Sequence, residues 1–296
     1  MSNVNPFKQP GQWYRGNTHS HSTESDGKLP MAERFAAFRE AGYDFLVLTD
    51  HRKVNDVSAY SDDSFLAISG SEVHPDNPYG GVTYHIVAIN IHERVNCVEL
   101  HPNAVIADIK QQGGEAVLCH PYWSGHTIMD YLPLSGYFAI EVYNDTCMGI
   151  GKGFAESAWD DLLDRAGPVF GIASDDAHGT EHDCFHGWVM VKAPELTIDS
   201  VMNAFRTGAF YSTLGPEIID LDLVDDGDQQ KKVTVQCSPA QSIVFKGPCS
   251  RGQRIVAPEG ELLTEAEYAL PSGTKYARVE ITDEKGKKAW SNPFFF

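Results

Sequence analysis

The run Asp44-Phe45-Leu46-Val47-Leu48-Thr49 is apolar at four consecutive positions and then stops on Asp50-His51. A strand with one face in water alternates apolar and polar residues; one without alternation is buried on both faces. The same pattern recurs through the first two thirds of the chain. Residues 13–18 end at His19-Ser20-His21, 65–69 at Gly70-Ser71-Glu72, 116–119 at His120-Pro121, and 169–173 at Ser174-Asp175-Asp176-Ala177-His178. Residues 83–91, which carry Tyr84-His85, 138–143 and 188–191 read as further strands. Helical patterns at 31–41, 103–113, 155–166 and 198–207 fall between them. Pro30 opens the first and Gly42 stops it, and Gly167-Pro168 follows the third.

Repeated βα units with short connections predict a parallel α/β architecture. Polar residues that could bind a metal follow nearly every strand on its C-terminal side. An open doubly wound sheet would gather them at one switch point, so a closed or nearly closed barrel is expected. The pattern changes at Gly215-Pro216. Beyond it, segments alternate apolar and polar, with turn signals at Asp226-Gly227, Glu259-Gly260 and Lys285-Gly286. Residues 233–235, 242–245 and 276–281 read as antiparallel strands. The expected domains are therefore a barrel over 13–215 and a small β-sheet domain over 216–296. There is no internal repeat.

The 296 residues, 42% of them hydrophobic, suffice for one large core and a small second one. A formal net charge of -18 argues against nucleic acid as a partner, because phosphate backbones are bound by clustered Lys and Arg. Bound divalent cations would offset part of that charge. The six cysteines show no C-x-x-C spacing and read as free thiols in a reducing compartment. Residues 1–12 are polar, and no apolar run approaches the roughly 18 residues of a membrane span. A cytoplasmic protein without membrane partners is expected. Nothing in the sequence specifies an oligomeric state.

His19-Ser20-His21 places two imidazoles on one face of an extended chain, where both reach one cation. Asp176-Ala177-His178 has the same spacing, and its pair either shares a cation or divides between neighbours. Glu72 could bridge two cations through its two oxygens. Imidazole with carboxylate suits Zn, Mn or Fe. A lone His at a strand end is more often hydrogen-bonded or exposed than a ligand; the joint pattern carries the argument. Asp50 precedes His51 and is placed to orient it, although an Asp that merely ends a strand would look the same.

His19-Ser20-His21-Ser22, Ser25-Asp26-Gly27, the segment from Gly42 to His51, Gly70-Ser71-Glu72, His85, His120-Pro121 and Ser174-Asp175-Asp176-Ala177-His178 resemble, in order, the motifs of the PHP (polymerase and histidinol phosphatase) family over residues 13–215. Ala204-Phe205-Arg206-Thr207-Gly208-Ala209-Phe210-Tyr211, Gly215-Pro216, and the segments from Ala277 to Glu280 and from Ala289 to Pro293 resemble its carbaryl-hydrolase-like branch. The resemblance implies a distorted (β/α)7 barrel with two or three divalent metals. The first would take His19, His21, Glu72 and Asp176; the second Glu72, His85 and His120; the third Asp26, His51 and His178. Only the resemblance promotes Asp26, which otherwise reads as an ordinary turn aspartate.

Where many family members carry Asn after Thr-Asp-His, this chain has Arg52-Lys53. Arg52 could clamp a phosphate or be an exposed loop charge. His126 is a candidate leaving-group acid or substrate contact, and Tyr122, Trp123, Tyr143 and Asn144 are candidate pocket residues; packing is the competing reading. Arg206 reads as structural. The expected activity is metal-dependent phosphoester hydrolysis of a small phosphomonoester or nucleotide. A water activated between cations attacks phosphorus, with Glu72 bridging and Asp176 taking part in proton transfer. The alternatives are hydrolysis of carboxyl esters, carbamates or amides at the same centre, and a non-catalytic metal-binding interaction module.

Overall fold

The computed structural model describes residues 4–98, 100–180, 182–224 and 231–296. Its first part runs β1 (Gln12–Asn17), α1 (Met31–Glu40), β2 (Phe45–Leu48), β3 (Leu66–Val73), β4 (Ile86–Ile89), α2 (Pro102–Gln111), β5 (Glu115–Leu118), α3 (Pro121–Ser124), α4 (Ile128–Tyr131), β6 (Ala139–Asn144), α5 (Glu156–Arg165), β7 (Phe170–Ser174), β8 (Trp188–Ala193), α6 (Ile198–Thr207) and β9 (Phe210–Thr213). Strands β2, β3, β5, β6 and β7 are buried at every position, β2 as its unbroken apolar run requires and the others with polar residues such as Glu72 and Glu141 buried among apolar ones. Phe45, Val47, Phe170 and Phe205 meet in the core between strands and α6. Gly16 keeps that core closed, since a Cβ there would lie 2.0 Å from Cζ of Phe45.

The strands lie in the order β9-β8-β1-β2-β3-β4-β5-β6-β7. Pairs β1–β2, β2–β3, β5–β6 and β6–β7 are parallel. Strand β4 runs antiparallel to both β3 and β5, and β8 antiparallel to β1. The uniformly parallel sheet is thus corrected at two strands. Residues 74–85 contain no helix to carry a parallel crossover, so the chain turns back instead. The reversal has a functional consequence. His85 precedes β4 rather than following it, and β4's start lies at the same end of the sheet as the finish of β3.

Among the described residues the strands of the expected distorted (β/α)7 barrel do not close into a continuous ladder: none joins β7 to β1 or β8. The edges meet just beyond the strands, through the bridge Ser20–Ala177 and the bond from the His21 N–H to the Ala177 carbonyl at 2.9 Å. Along β7 the Ala173 N–H donates to Ser212 Oγ of β9 at 3.0 Å and that hydroxyl donates to the Gly171 carbonyl at 2.8 Å, so the α/β sheet is joined by a side chain within it and stitched by backbone at the end that carries the polar clusters.

The C-terminal part comprises β10 (Ile218–Val224), β11 (Lys232–Ala240), β12 (Ser242–Lys246), β13 (Gly252–Val256), β14 (Leu263–Ala269), β15 (Tyr276–Thr282), β16 (Lys288–Ser291) and β17 (Phe294–Phe295). The expected strands fall within β11, β12 and β15. Glu259-Gly260 and Lys285-Gly286 lie in connections; Asp226-Gly227 lies outside the described residues. Strands β13-β12-β15-β16 extend the main sheet, because β16 pairs with β9, while β10-β11-β14 form a separate sheet. Ile218, Val233, Phe245, Val279 and Tyr211 share one core, so this part packs continuously onto β9.

Candidate metal centre

The segment after β1 carries His19 and His21, both fully buried, with ring centroids 5.1 Å apart. Their shared face follows from the two-residue period of extended chain. Asp176 follows β7 and Glu72 stands near the end of β3. The Nε2 atoms of His19 and His21 lie 3.2 and 3.0 Å from Oδ1 of Asp176, and 3.3 and 3.5 Å from Oε2 of Glu72. Four donor atoms from three strand ends therefore converge on one point.

Glu72 extends the cluster. Its Oε1 lies 2.6 Å from Nδ1 of His85 and 3.4 Å from Nε2 of His120, which makes a second group. Its Oε2 approaches Nδ1 of His51 at 2.9 Å. A third group joins His21, Asp26, His51 and His178. There Asp26 lies 3.2 Å from Nε2 of His51 and 3.4 Å from Nε2 of His178. Asp26 reaches this point because its turn folds tightly onto the preceding strand end: the Gly27 N–H binds the Ser22 carbonyl, and a Cβ at Gly27 would lie 2.4 Å from the His21 carbonyl oxygen. Asp176 and His120 hold left-handed backbones, φ +56° and +27°, a cost concentrated at this mouth.

The electrostatics are one-sided. Burial disfavours an imidazolium at His19, yet Asp176, Glu141 and Glu72 outweigh it and raise its pKa well above the ordinary value. At His51 and His120 burial opposes the charge too, but Glu72 prevails and raises both. Burial would push Glu72 up; the histidines around it instead hold it well below the carboxylate range. The site draws positive charge. It also leaves buried donor atoms bare: Nε2 of His19 and Nδ1 of His51 have no hydrogen-bond partner. Buried polar atoms are rarely left so. Imidazole lone pairs and carboxylate oxygens aimed at common points fit divalent cations, with His19, His21, Glu72 and Asp176 able to hold one, Glu72, His85 and His120 a second, and Asp26, His51 and His178 a third.

Supporting residues are where sequence reading falls short. Glu141, in the middle of β6, accepts from His19 Nδ1 at 2.7 Å, Ser174 Oγ at 2.6 Å, the His120 N–H at 2.8 Å and Asn144 Nδ2 at 2.9 Å. By taking the Nδ1 proton it fixes the tautomer and turns the His19 Nε2 lone pair toward Glu72 and Asp176. The available signal was a lone Glu inside an apolar strand. Asp175 is fully buried and accepts from Asn17 and the N–H groups of Phe185, His186 and Gly187. Burial pushes its carboxyl up to about 7, partly offset by those donors. It anchors the loop after His178, and Asp176 faces the cluster instead.

Four expected roles change. Asp50 does not orient His51: its oxygens accept from Ser22 N–H and Oγ, Ser25 Oγ and Asn55 Nδ2, each at 2.7 Å. Neighbouring residues of an extended chain point to opposite faces, so Asp50 braces the turn that bears Asp26. His126 donates Nε2–H to the Val82 carbonyl at 2.9 Å and receives the Tyr131 hydroxyl at Nδ1 at 3.1 Å, so neither nitrogen is free to protonate a leaving group. Tyr143 is buried, gives its hydroxyl to Asp145 at 2.5 Å and packs on Phe154. Asn144 is buried and donates to Oδ2 of Asp176 at 3.1 Å, aligning a carboxylate rather than touching substrate. Tyr122 and Trp123 stay at the rim, and Trp123 sets its ring edge against His120 and His85. Arg52 is exposed beside the cluster, its N–H bound to the Glu72 carbonyl at 2.9 Å. Arg206 binds Glu115 and the Gly113 carbonyl, a structural tie.

The described cysteines form no disulfide, and no helix among the described residues is long and apolar enough to cross a membrane. No family model and no curated protein matches the chain. Among solved structures, an amidohydrolase from Chromobacterium violaceum with bound sulfate and no metal is similar over 57% of this chain and 89% of its own, at 16% identity and TM-score 0.42. A two-domain protein containing a predicted PHP-like metal-dependent phosphoesterase, from Bacteroides vulgatus, is similar over 100% of this chain and 98% of its own, at 16% identity and TM-score 0.55. The chain thus shares, from end to end, the fold of that PHP-like two-domain protein.

Proposed function

We propose that this protein is a metal-dependent hydrolase and, within that class, a phosphoesterase acting on a small phosphomonoester or nucleotide. The observation that carries the reading is the set of three overlapping donor groups that share Glu72 and His21 at the stitched end of the sheet. The PHP-like fold supports it, as does the Bacteroides vulgatus neighbour's description as containing a phosphoesterase. The chemistry that divalent cations supply when bound to such groups is activation of water near neutral pH and neutralisation of charge on the reacting oxygens.

The protein's own residues have separate tasks. His19, held by Glu141, presents one fixed nitrogen. Glu72 spans the groups with its two oxygens. Asp176, aligned by Asn144 through Oδ2, offers Oδ1 to the first group. Arg52 reaches from the rim to the phosphate as a charged donor. The acidic surface disfavours nucleic acid, so the substrate is a small molecule.

Exposed Tyr122 and Trp123 favour a second reading, hydrolysis of an aryl ester or carbamate in the manner of the carbaryl-hydrolase-like branch. One panel separates the readings. Metal-loaded protein is assayed on phosphomonoesters, nucleotides, aryl acetates and aryl carbamates, with Arg52→Ala beside it. Phosphoester turnover that falls about tenfold in Arg52→Ala, the worth of one exposed charge-assisted contact, supports the first reading. Ester or carbamate turnover indifferent to Arg52 supports the second. A metal-loaded protein inert on the whole panel sinks both and leaves a binding module.

A further inference from the structure

Glu72-Val73-His74 repeats the one-residue spacing of His19-Ser20-His21, and the strand ends at Val73. Residues two apart on extended chain share a face, so His74 belongs on the side of Glu72. The ring of His74 is stacked on His85 with centroids 4.1 Å apart, and stands edge-on to His51 at 4.7 Å. Its side chain is 12% exposed, and its Nε2 is buried with no hydrogen-bond partner. Oε1 of Glu72 lies 3.7 Å from that nitrogen, too far for a hydrogen bond and suited to two donors around a common centre. Leaving a buried polar atom unpaired costs about 1–3 kcal/mol. Packing alone would be met as well by a Leu or Phe.

We propose that His74 is a metal ligand, completing with Glu72 and His51 a donor set that the three groups above do not contain. The ligand is a divalent cation of the borderline class, Zn, Co or Fe, because the added donor is an imidazole. The inference rests on the metal-centre reading. It gives the rim of the site, between His51 and His85, a capacity to bind a cation that does not depend on Asp26.

The test is cobalt binding rather than turnover. Metal-free wild type, His74→Ala and His74→Gln are titrated with Co²⁺, and visible absorption and bound equivalents are recorded. The expected result is that both variants bind one equivalent more weakly, on the order of 10- to 100-fold, with a changed absorption band. His74→Gln keeps much of the side-chain bulk, so its agreement with His74→Ala separates ligation from packing. A readout on wild type alone guards against misfolded variants: carbethoxylation of His74, mapped by mass spectrometry, should fall when Co²⁺ is bound. Equal affinity and identical bands in all three proteins, or His74 modified equally with and without metal, overturn the assignment while leaving the metal centre standing. A wild type that takes up no Co²⁺ overturns both.

Discussion

Glu72 and Glu280 are both buried carboxylates on long strands of one sheet, at 1% and 5% exposure, and their surroundings differ in kind. Glu280, on β15, is surrounded by permanent charge: Lys288 at 2.9 Å, Lys246 at 3.2 Å and Arg278 at 3.7 Å. Arg278 in turn stacks on Trp159 and binds Asp160 of α5, so this network ties the C-terminal strands to the first part of the chain. Among the described residues Glu72 has only imidazoles as ion-pair partners. Imidazole offers a charge only when protonated and a lone pair otherwise. A carboxylate surrounded by Lys and Arg has its charge balanced without any ligand, even though Oε2 of Glu280 and Nη1 of Arg278 lack a hydrogen-bond partner. One compensated by histidines is complete only when a proton or a cation arrives, which is the pattern of a binding site.

The sharpest way to break the contrast is to neutralise Glu72. Glu72→Gln should remove most of the rise in melting temperature that metal gives the wild type, leaving what the group of His21, Asp26, His51 and His178 supplies. That rise reflects about 2.7 kcal/mol at a hundredfold excess over Kd. Turnover should fall on the order of 10³-fold, since the lost charge stabilisation is worth several kcal/mol. Calorimetry with and without chelator reads the first effect and the substrate panel the second. A Glu72→Gln protein that keeps its full metal-dependent shift would show the carboxylate to be structural, like Glu280.

Asp160→Ala probes the other network. It strips the buried Arg278 of its nearest partner and should cost about 2 kcal/mol, below the ~3–5 of a fully buried pair because Asp160 is 34% exposed. Urea unfolding measures it. The loss should be the same with and without metal; a loss that appears only in metal-free protein would couple the two networks and erase the distinction.

What the sequence makes legible is what strand periodicity encodes. His19 with His21, and the convergence of Glu72, His120, Asp176 and His178, follow from short apolar runs that stop on polar residues at one end of a sheet, whereas His85 joins them because β4 runs the other way. The missed residues depend on contacts that no local pattern encodes. Glu141 meets His19 across 122 positions, from between Ile140 and Val142 in the middle of a strand. The direction of β4 hangs on a helix-free connection, and the gap between β7 and β1 on a ladder that is never made. Asp50 misleads because adjacency in sequence is opposition in an extended chain. A periodic alternation such as that of β11 announces the C-terminal strands plainly, yet it does not tell that β16 would add to β9 and carry β12, β13 and β15 into the main sheet while β10, β11 and β14 form another.

Glu141→Gln sharpens the contrast from behind the site. The amide still fills the space but no longer binds the Nδ1 proton of His19 as an anion. Metal affinity should fall on the order of 10- to 100-fold, seen by competition with a chromophoric chelator, while stability of the metal-free protein changes little. An unchanged affinity would mean that His19 needs no anionic partner to present Nε2.

The smallest expected effect is in the pH dependence, where the two networks should part in sign. Around Glu280, burial would raise the carboxyl, but Lys246, Lys288 and Arg278 hold it below its ordinary value. A depressed pKa contributes stability that is present above the unfolded value and lost as pH falls through the folded one. At Lys288 burial lowers the pKa and Glu280 and Glu156 more than restore it, so its share is lost only as pH climbs through a raised lysine value. Between those limits this network is flat. At the metal-free centre His19, His51 and His120 are raised, so their contribution is full below the ordinary histidine value of 6.5 and drains away as pH rises through the higher folded values. His21 and His74, both lowered by burial, oppose them. Melting temperature of metal-free protein should therefore slope downward as pH rises above the ordinary histidine value of about 6.5, by on the order of 2 °C for each kcal/mol lost, whereas metal-loaded protein should hold level, its imidazoles already engaged as lone-pair donors. Parallel curves for the two preparations would place the histidines outside the metal's reach and return Glu72 to the same class as Glu280.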